Sequence, residues 1–372
     1  MNSSLPFDEV FRDESGGNIK TLQAEYLREG KIPIVDQGKE LIGGYTEDKS
    51  RLCKAELPVI VFGDHTKCLK FIDFPFALGA DGVKVLRPKI NANPKYLYYV
   101  LKSLRITDAG YSRHFKFLRR NEIPLPPLEH QRRIAEVIDR ADTLRQRRLL
   151  AIQKLNTLLR SVFLDMFGDP VTNPKGWPTS NLESFGEFIG GGTPRRDVQS
   201  FYTGSICWAT SKDMKGRVLT DTQEHITEQA IKKSATKLVP KETILIVVKS
   251  KILMRYLPVL VAKVPVCFGQ DLKGLVLHDK SLVSFISHSI IFGQRTLLQQ
   301  ARGINTEGLT LDHLRPFQIM MPPDELVSTF TKIATKITDS IIRFESQLER
   351  SNNLFASLQH RAFKGELFPE EN

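Results

Sequence analysis

Two groups of side chains in this sequence have the types needed to hold a polyanion. Gln37, Tyr45, His65, Thr66, Lys67, Arg113 and Lys116 lie in the first third of the chain, and Thr193, Arg195, Arg196, Ser211, Lys212, Lys249, Ser250, Lys251 and Asn305 in its second half. Lysine and arginine offer fixed positive charge to phosphates, while hydroxyls and amides supply donors and acceptors. At base edges, hydrogen-bond geometry pairs Arg or Lys with guanine and Asn or Gln with adenine. The overall charge agrees with such a partner, since 53 Lys+Arg against 42 Asp+Glu leave +11 on 372 residues, and basic groups near phosphates release condensed counterions.

Residue patterns for catalysis are missing. A nucleotide-hydrolysing motor needs a Gly-rich loop ending in Gly-Lys-Ser/Thr, and Gly190-Gly-Gly-Thr-Pro194 lacks the lysine. An adenine methyltransferase needs a Gly-rich cofactor loop and an Asn/Asp-Pro-Pro-aromatic grip on a flipped base. Asp73-Phe-Pro-Phe76 and Asn93-Pro-Lys-Tyr96 are fragments of that grip, read here as turns before a strand or helix. A metal-dependent nuclease needs clustered carboxylates, but Glu29 to Lys31 and Asp213 to Lys215 stand without an upstream acidic partner. His65, His114 and His313 read as polar surface or phosphate-contacting residues. Cys53, Cys68, Cys207 and Cys267 form no C-x-x-C pair and have no His at ligand spacing, so they read as buried thiols, and no metal is expected.

No segment is suited to a membrane. The longest apolar stretch, Leu257 to Phe268, is interrupted by Lys263 and is too short to span a bilayer. Met1 to Asp8 has neither the basic start nor the apolar run of a secretory signal, so a cytoplasmic location is expected. A hydrophobic fraction of 41% with 26% charged residues supports packed cores.

The elements that must position these side chains are visible as a repeat. Glu129 to Phe167, after Pro124-Leu-Pro-Pro127, and Asp324 to Lys364, after Pro322-Pro323, each run without Pro or Gly. One offset of 196 carries Pro126 onto Pro322, Glu129 onto Glu325, Leu158 onto Leu354, Ser161 onto Ser357 and Phe167 onto Phe363. Proline suits a helix start and blocks propagation backward. The first apolar stripe reads Ile134, Val137, Ala141, Leu144, Ile152, Leu155, Leu159, Val162 and Met166, with one step of eight where Arg145, Arg147 and Arg148 sit. The second, Ile341, Phe344, Leu348, Ser351, Phe355, Leu358 and Ala362, keeps the three-four spacing of a coiled-coil seam. Forty helical residues extend about 60 Å, so an antiparallel pair would be a spacer related by an approximate two-fold axis.

Between the helices, runs such as Pro58-Val-Ile-Val-Phe-Gly63, Thr243-Ile-Leu-Ile-Val-Val248 and Pro258-Val-Leu-Val261 indicate mixed α/β domains. The expected order is a globular domain at 1–125, a long helix at 126–168, a second domain at 169–321, and a second helix with its tail at 322–372. Residues 1–128 carry +4, 129–168 +3, 169–323 +6, 324–368 zero and the last four −2. The polyanion contacts therefore belong mostly to the globular parts, with help from the arginine cluster as one option. Those arginines have two other readings, pairing with acidic groups on a partner or facing solvent. Leu149 and Leu150 are left over from the stripe and suit partner contacts.

These motifs resemble the specificity subunit of type I restriction-modification systems over essentially the whole chain. The resemblance is carried by Pro126-Pro-Leu-Glu-His-Gln-Arg-Arg-Ile134, by Leu158-Leu-Arg-Ser-Val-Phe163 running into Met166-Phe-Gly-Asp169, and by Leu358-Gln-His-Arg-Ala-Phe-Lys-Gly-Glu-Leu367. Gly191-Gly-Thr-Pro194 with Ile206-Cys-Trp-Ala-Thr210, and Ile32-Pro-Ile-Val-Asp-Gln-Gly38 with Gly43-Gly-Tyr45, look like openings of target recognition domains. It implies a mixed α/β (α+β) fold with two target recognition domains and two long antiparallel helices. It also implies a bipartite, asymmetric double-stranded DNA site, with no catalytic centre or cofactor in this chain. Two modification subunits would carry S-adenosylmethionine and methylate adenine, and ATP-driven restriction subunits could join. The first domain lacks the Gly-Gly-Thr-Pro sequence and the lead-in at Trp177, so the two domains are expected to read different half-sites. Two rivals stay open: a self-sufficient restriction or modification enzyme, and a coiled-coil interaction protein unrelated to DNA.

Overall fold

The computed structural model describes residues 3–80, 82–106, 112–301 and 308–368, and the chain forms two compact units, Met1–Leu149 with Ser346–Asn372 and Leu150–Glu345. The first unit contains β1 (Ser3–Pro6), α1 (Phe7–Val10), β2 (Phe11–Asp13), β3 (Ile32–Val35), β4 (Gly44–Thr46), β5 (Val59–Gly63), β6 (Leu69–Ile72), β7 (Ala77–Leu78), β8 (Val83–Pro88), α2 (Pro94–Ser103), α3 (Phe115–Leu118) and β9 (Glu122–Leu125), followed by α4 (Leu128–Phe167). Its sheets have the orders β2-β8-β5-β6, β4-β3-β7 and β1-β9. Strand β5 is buried at every position, as a continuous apolar run requires when both faces are covered. Helix α2 starts where Asn93 accepts from the Tyr96 N–H at 2.9 Å with Pro94 in the first turn, so the Asn93–Tyr96 fragment is a helix cap. Tyr96, Leu97, Tyr99, Val100 and Leu101 then join the core with Ile60, Phe62 and Leu86.

The second unit repeats this order. After β10 (Thr179–Asn181) and β11 (Gly186–Gly190) come β12 (Ile206–Ala209), β13 (Val218–Leu219), β14 (Glu224–Ile226), α5 (Glu228–Lys232), β15 (Ile244–Val247), β16 (Val259–Ala262), β17 (Val266–Phe268), β18 (Leu272–Leu277), α6 (Val283–Gln300), α7 (Leu311–Leu314), β19 (Gln318–Met320) and α8 (Asp324–Phe363). Its sheets run β11-β18-β15-β16-β13, β14-β12-β17 and β10-β19. Apart from the added β13, these orders match the first unit strand for strand, so the duplication reaches into the globular parts. The greater length of the second copy includes β13, α5 and an α6 of 18 residues where α2 has 10.

Both 40-residue helices follow a proline pair and stop at a glycine, Gly168 and Gly365, with φ of +84° and +78°, the left-handed conformation that ends a helix. The unit boundaries, at 149/150 and 345/346, cut through these helices, so each unit holds part of both. In the first unit the helical segments are antiparallel: Arg145 Nε donates to Asn352 Oδ1 at 2.8 Å, Arg148 to the Ser351 hydroxyl at 2.5 Å, and Arg133 lies over the Phe368 ring at 4.2 Å.

The seam of α4 departs from the apolar stripe at several places; toward the helix end Phe163 and Phe167 are buried where the stripe has half-buried Val162 and Met166. Leu144 is 48% exposed and Val137 half-buried, whereas Ile134, Ile138 and Ala141 are buried. Continuing in steps of four and three, the seam passes through Arg145 and Arg148 to Ile152, with no gap of eight. The stems of these arginines cover apolar surface, and Arg145 also lies over the Phe355 ring at 4.4 Å and pairs with Asp142 at 2.8 Å. Ser351, which kept the second stripe in phase, is their buried counterpart. Polar groups at seam positions fix register at some cost in stability. Of the other seam residues, Ile152, Leu159, Ile341 and Phe355 are buried and Leu155, Phe344, Leu348 and Leu358 half-buried. Arg147 is exposed.

Candidate nucleic-acid interface

In the first unit, three connections meet at one end of the sheets. The β5–β6 hairpin turn packs against the segment after β3: the Thr66 hydroxyl donates to the Gln37 carbonyl and the His65 N–H to Gln37 Oε1 at 3.3 Å. Lys67 takes φ of +60° in that turn. Asp64 ties the turn to the other connections. Its N–H donates to the Gly82 carbonyl at 2.7 Å, its carbonyl accepts the His114 N–H at 2.9 Å, and its carboxylate accepts the Phe115 N–H at 2.7 Å. Buried Lys70 anchors the end of β3, donating to the Asp36 carbonyl at 2.8 Å. The turn and the start of α3 therefore bring together Gln37, His65, Thr66, Lys67, Arg113 and Lys116, of which Thr66, Arg113 and Lys116 are exposed. Tyr45 stands apart on β4, opposite Pro33, beside a hollow lined by Tyr26, Leu27 and Arg28.

The second unit has the corresponding junction. Val248 N–H donates to the Asp271 carbonyl at 2.8 Å and its carbonyl accepts the Leu309 N–H at 2.7 Å, matching the bonds of Asp64 to Gly82 and His114. Exposed Lys249 and Lys251 flank Ser250, whose hydroxyl caps the turn that follows. Ser211 and Lys212 are exposed on the turn after β12, which Asp213 holds through the Thr210 N–H at 2.8 Å and the Gln223 N–H at 2.9 Å. The Asp213 carboxylate is thus a loop clamp. Thr193 reaches Gln270 in the β17–β18 connection. Gly191 and Gly192 make that approach possible, because a Cβ on Gly191 would meet the Gly269 carbonyl oxygen at 2.1 Å, and Trp208 Nε1 donates to the Gly192 carbonyl at 3.1 Å. Asn305 lies outside the described residues.

The two arginines after Pro194 already have partners. Arg195 pairs with Asp197 at 2.5 Å, and Arg196 makes a two-pronged bond to Glu224 at 2.5 and 3.0 Å while lying 4.8 Å from the Trp208 ring centre. Those hydrogen bonds raise both guanidinium pKa values, and the Arg196 bond lowers that of Glu224. Such a pair presents a fixed guanidinium at the surface.

One expectation about a histidine is corrected. His114 is 1% exposed, and its backbone N–H and Nδ1 both contact the Asp64 carbonyl, so it is part of the junction's frame rather than surface. His313 is half-buried on α7, and its Nδ1 accepts the Thr310 N–H at 3.1 Å at the helix start, which leaves the polar-surface reading in place. The cysteines differ as well: Cys267 is buried, but Cys53, Cys68 and Cys207 are half-buried. Spacing along the chain also misses one group, Cys207, Asp221 and His225, whose ligand atoms all lie within 4.8 Å of one another. Burial raises the Cys207 thiol pKa, and the Thr222 N–H followed by His225 lowers that of Asp221.

No described helix is long and apolar enough to cross a membrane. The sequence matches the family model of the type I restriction modification DNA specificity domain twice, over residues 7–158 and 174–353. It is 29% identical over 363 residues to the Type I restriction enzyme EcoR124I/EcoR124II specificity subunit of Escherichia coli, covering 91% of this chain and 89% of that one. It is 27% identical over 135 residues to the MjaIX specificity subunit of Methanocaldococcus jannaschii, 36% of this chain and 30% of that one. The fold is similar to the crystal structure of the type I restriction-modification S subunit from M. genitalium, with a TM-score of 0.68 at 14% identity, covering 100% of this chain and 96% of that one.

Proposed function

The chain belongs to the type I restriction-modification DNA specificity family, and from that premise we propose that its two junctions are the DNA-reading surfaces of a non-catalytic specificity subunit. The observation that carries this reading is the recurrence of one junction in both globular parts, with exposed cations beside it each time: Arg113 and Lys116 at the start of α3 in the first, Lys249 and Lys251 on the turn itself in the second. Residues 1–125 and 169–321 are then the target recognition domains, and 126–168 and 322–372 the spacers. The side chains on the two junctions differ, with Gln37, His65 and Lys67 on one and Ser211, Lys212, Lys249 and Lys251 on the other. Two different half-sites follow, hence an asymmetric bipartite target.

Methylation and restriction belong to partner subunits in this reading: two modification subunits with S-adenosylmethionine, and restriction subunits with ATP, in the cytoplasm. Leu144, Leu149, Leu150 and Leu158 on α4 and Leu354 on α8 are 43–54% exposed, and such apolar positions on long helices suit docking of the modification subunits.

The experiment is a binding titration against salt with the modification subunits present. Each phosphate-contacting lysine contributes roughly one unit to the salt slope. Replacing both Lys249 and Lys251 with alanine is expected to reduce the slope by about two and weaken binding to the cognate site. An unchanged slope would remove these residues from the interface. Methylation mapping in a strain carrying the chain with its modification subunit should return a split adenine motif with a fixed gap. Methyl transfer by the purified chain alone would overturn the non-catalytic assignment.

A further inference from the structure

Antiparallel pairing of β12 with β14 places Cys207 directly opposite His225, and the connection before β14 brings Asp221 to the same spot. Cys207 Sγ is 3.6 Å from Asp221 Oδ1, and His225 Nε2 is 2.8 Å from that same oxygen. A tetrahedral zinc ion with ordinary bond lengths separates a sulfur from an oxygen ligand by ~3.6 Å and a nitrogen from an oxygen ligand by ~3.4 Å. The sulfur–oxygen spacing already fits, and the imidazole needs to retreat by only a fraction of an ångström.

We propose that Cys207, Asp221 and His225 form a zinc-type metal site with three protein ligands and one open position. The donor set of one sulfur, one imidazole nitrogen and one carboxylate oxygen favours zinc over magnesium or calcium, which take all-oxygen shells. Asp221 is 72% exposed and His225 32%, so solvent reaches the fourth position and water completes the shell. Binding releases one proton, from the thiol, to solvent; the carboxylate binds as it stands, and the neutral imidazole moves the proton that Nε2 donates to Asp221 onto Nδ1, which frees Nε2 for the ion. A reactive-thiol reading is weaker, because the group touching Cys207 is a carboxylate, which disfavours the thiolate when no cation is bound.

The site's position gives it a consequence. Thr222, next to Asp221, accepts the Trp208 N–H at 3.1 Å and donates to the Glu224 carbonyl at 2.7 Å, while Gln223 is bonded to Asp213 under the Ser211–Lys212 turn. An ion there cross-links β12, β14 and the connection between β13 and β14, and so stiffens the segment carrying Lys212 and the Arg196–Glu224 pair.

The test uses the full chain, stripped with chelator and titrated with cobalt(II) as the spectroscopic probe. One equivalent is expected to give thiolate-to-cobalt charge-transfer absorption that zinc displaces. Cys207→Ser keeps the side chain's size and a hydrogen-bond donor toward Asp221. It should abolish the charge-transfer band and weaken zinc binding by more than about tenfold, while far-ultraviolet circular dichroism stays unchanged. His225→Gln gives a second reading should the serine variant fold poorly. Absence of the band, or a band that survives both replacements, overturns the proposal and leaves Asp221 as a hydrogen-bond acceptor for Cys207 and His225.

Discussion

Replacing Phe163 with alanine is expected to destabilise the second unit by roughly 3–5 kcal/mol, the range for deleting a fully buried phenylalanine. Phe163, on α4, is 0% exposed. Its ring lies 5.1 Å from Phe167 and Phe292, 5.4 Å from Phe330 and 5.9 Å from Phe285, so one side chain joins α4, α6 and α8. Truncation leaves a cavity walled by other aromatic rings, whose size limits collapse around it. For a unit of this length each kcal/mol moves the melting midpoint by ~2–4 °C, so calorimetry should record a drop of roughly 6–20 °C. A loss under about 1 kcal/mol would mean that the cluster repacks and does not fasten the helices. Phe163→Leu should retain more than half of the lost stability, since it restores most of the apolar volume.

The sequence made this helix pair readable because the cues are local. A proline pair starts each helix, and one offset of 196 relates them from end to end. Its seam was harder to read at Arg145 and Arg148. A stripe chosen by hydrophobicity skips an arginine, although a guanidinium on a long apolar stem can occupy a seam and bond Asn352, Gln347 and Ser351 across it. The duplicated strand order was hidden for another reason. Corresponding strands are offset by 174 residues at β3 and β12 but by 196 at β9 and β19, because the connections differ in length.

At the candidate interface, residue type identified basic and amide side chains; the β5–β6 and β15–β16 turns carry His65, Thr66, Lys67, Lys249, Ser250 and Lys251, and the other described candidates lie on separate connections and element starts. Type alone could not separate His65, on the turn, from buried His114, because that difference is made by a long-range bond to Asp64. Nor could spacing reveal the partners of Cys207: eighteen residues separate it from His225, and strand register alone places them opposite each other. The one local trace is Asp221 and His225 in i, i+4 spacing.

Lowering the pH should weaken the second unit through His288, on α6. Its imidazole is buried, with Nδ1 donating to the Ser284 carbonyl at 2.6 Å, and Nε2 has no hydrogen-bond partner among the described residues. Phe292 and Phe330 lie 5.7 and 5.5 Å away. Burial, reinforced by the Arg217 charge, pushes its pKa down to about 4. Arg217 is itself half-buried, held by Asn156 Oδ1 at 2.7 Å, and burial lowers its pKa. Glu242, Lys263, Lys280 and Asp339 line the same cavity, of about 210 Å³. The folded state keeps His288 neutral, whereas the unfolded chain protonates it near pH 6.5. The unfolded state therefore binds the extra proton first, so stability is constant above pH 6.5 and falls as pH drops toward 4. Over that window the loss is roughly 3 kcal/mol at 1.36 kcal/mol per pKa unit. Carboxylates add their own acid slope, so the measurement is a difference: denaturant unfolding of the wild type and of His288→Gln from pH 7.5 to 4.5. The wild type should lose more stability over that range, and its excess slope should begin near pH 6.5. Parallel profiles would show that His288 gains its proton without unfolding, with the cavity admitting enough water to solvate the charge.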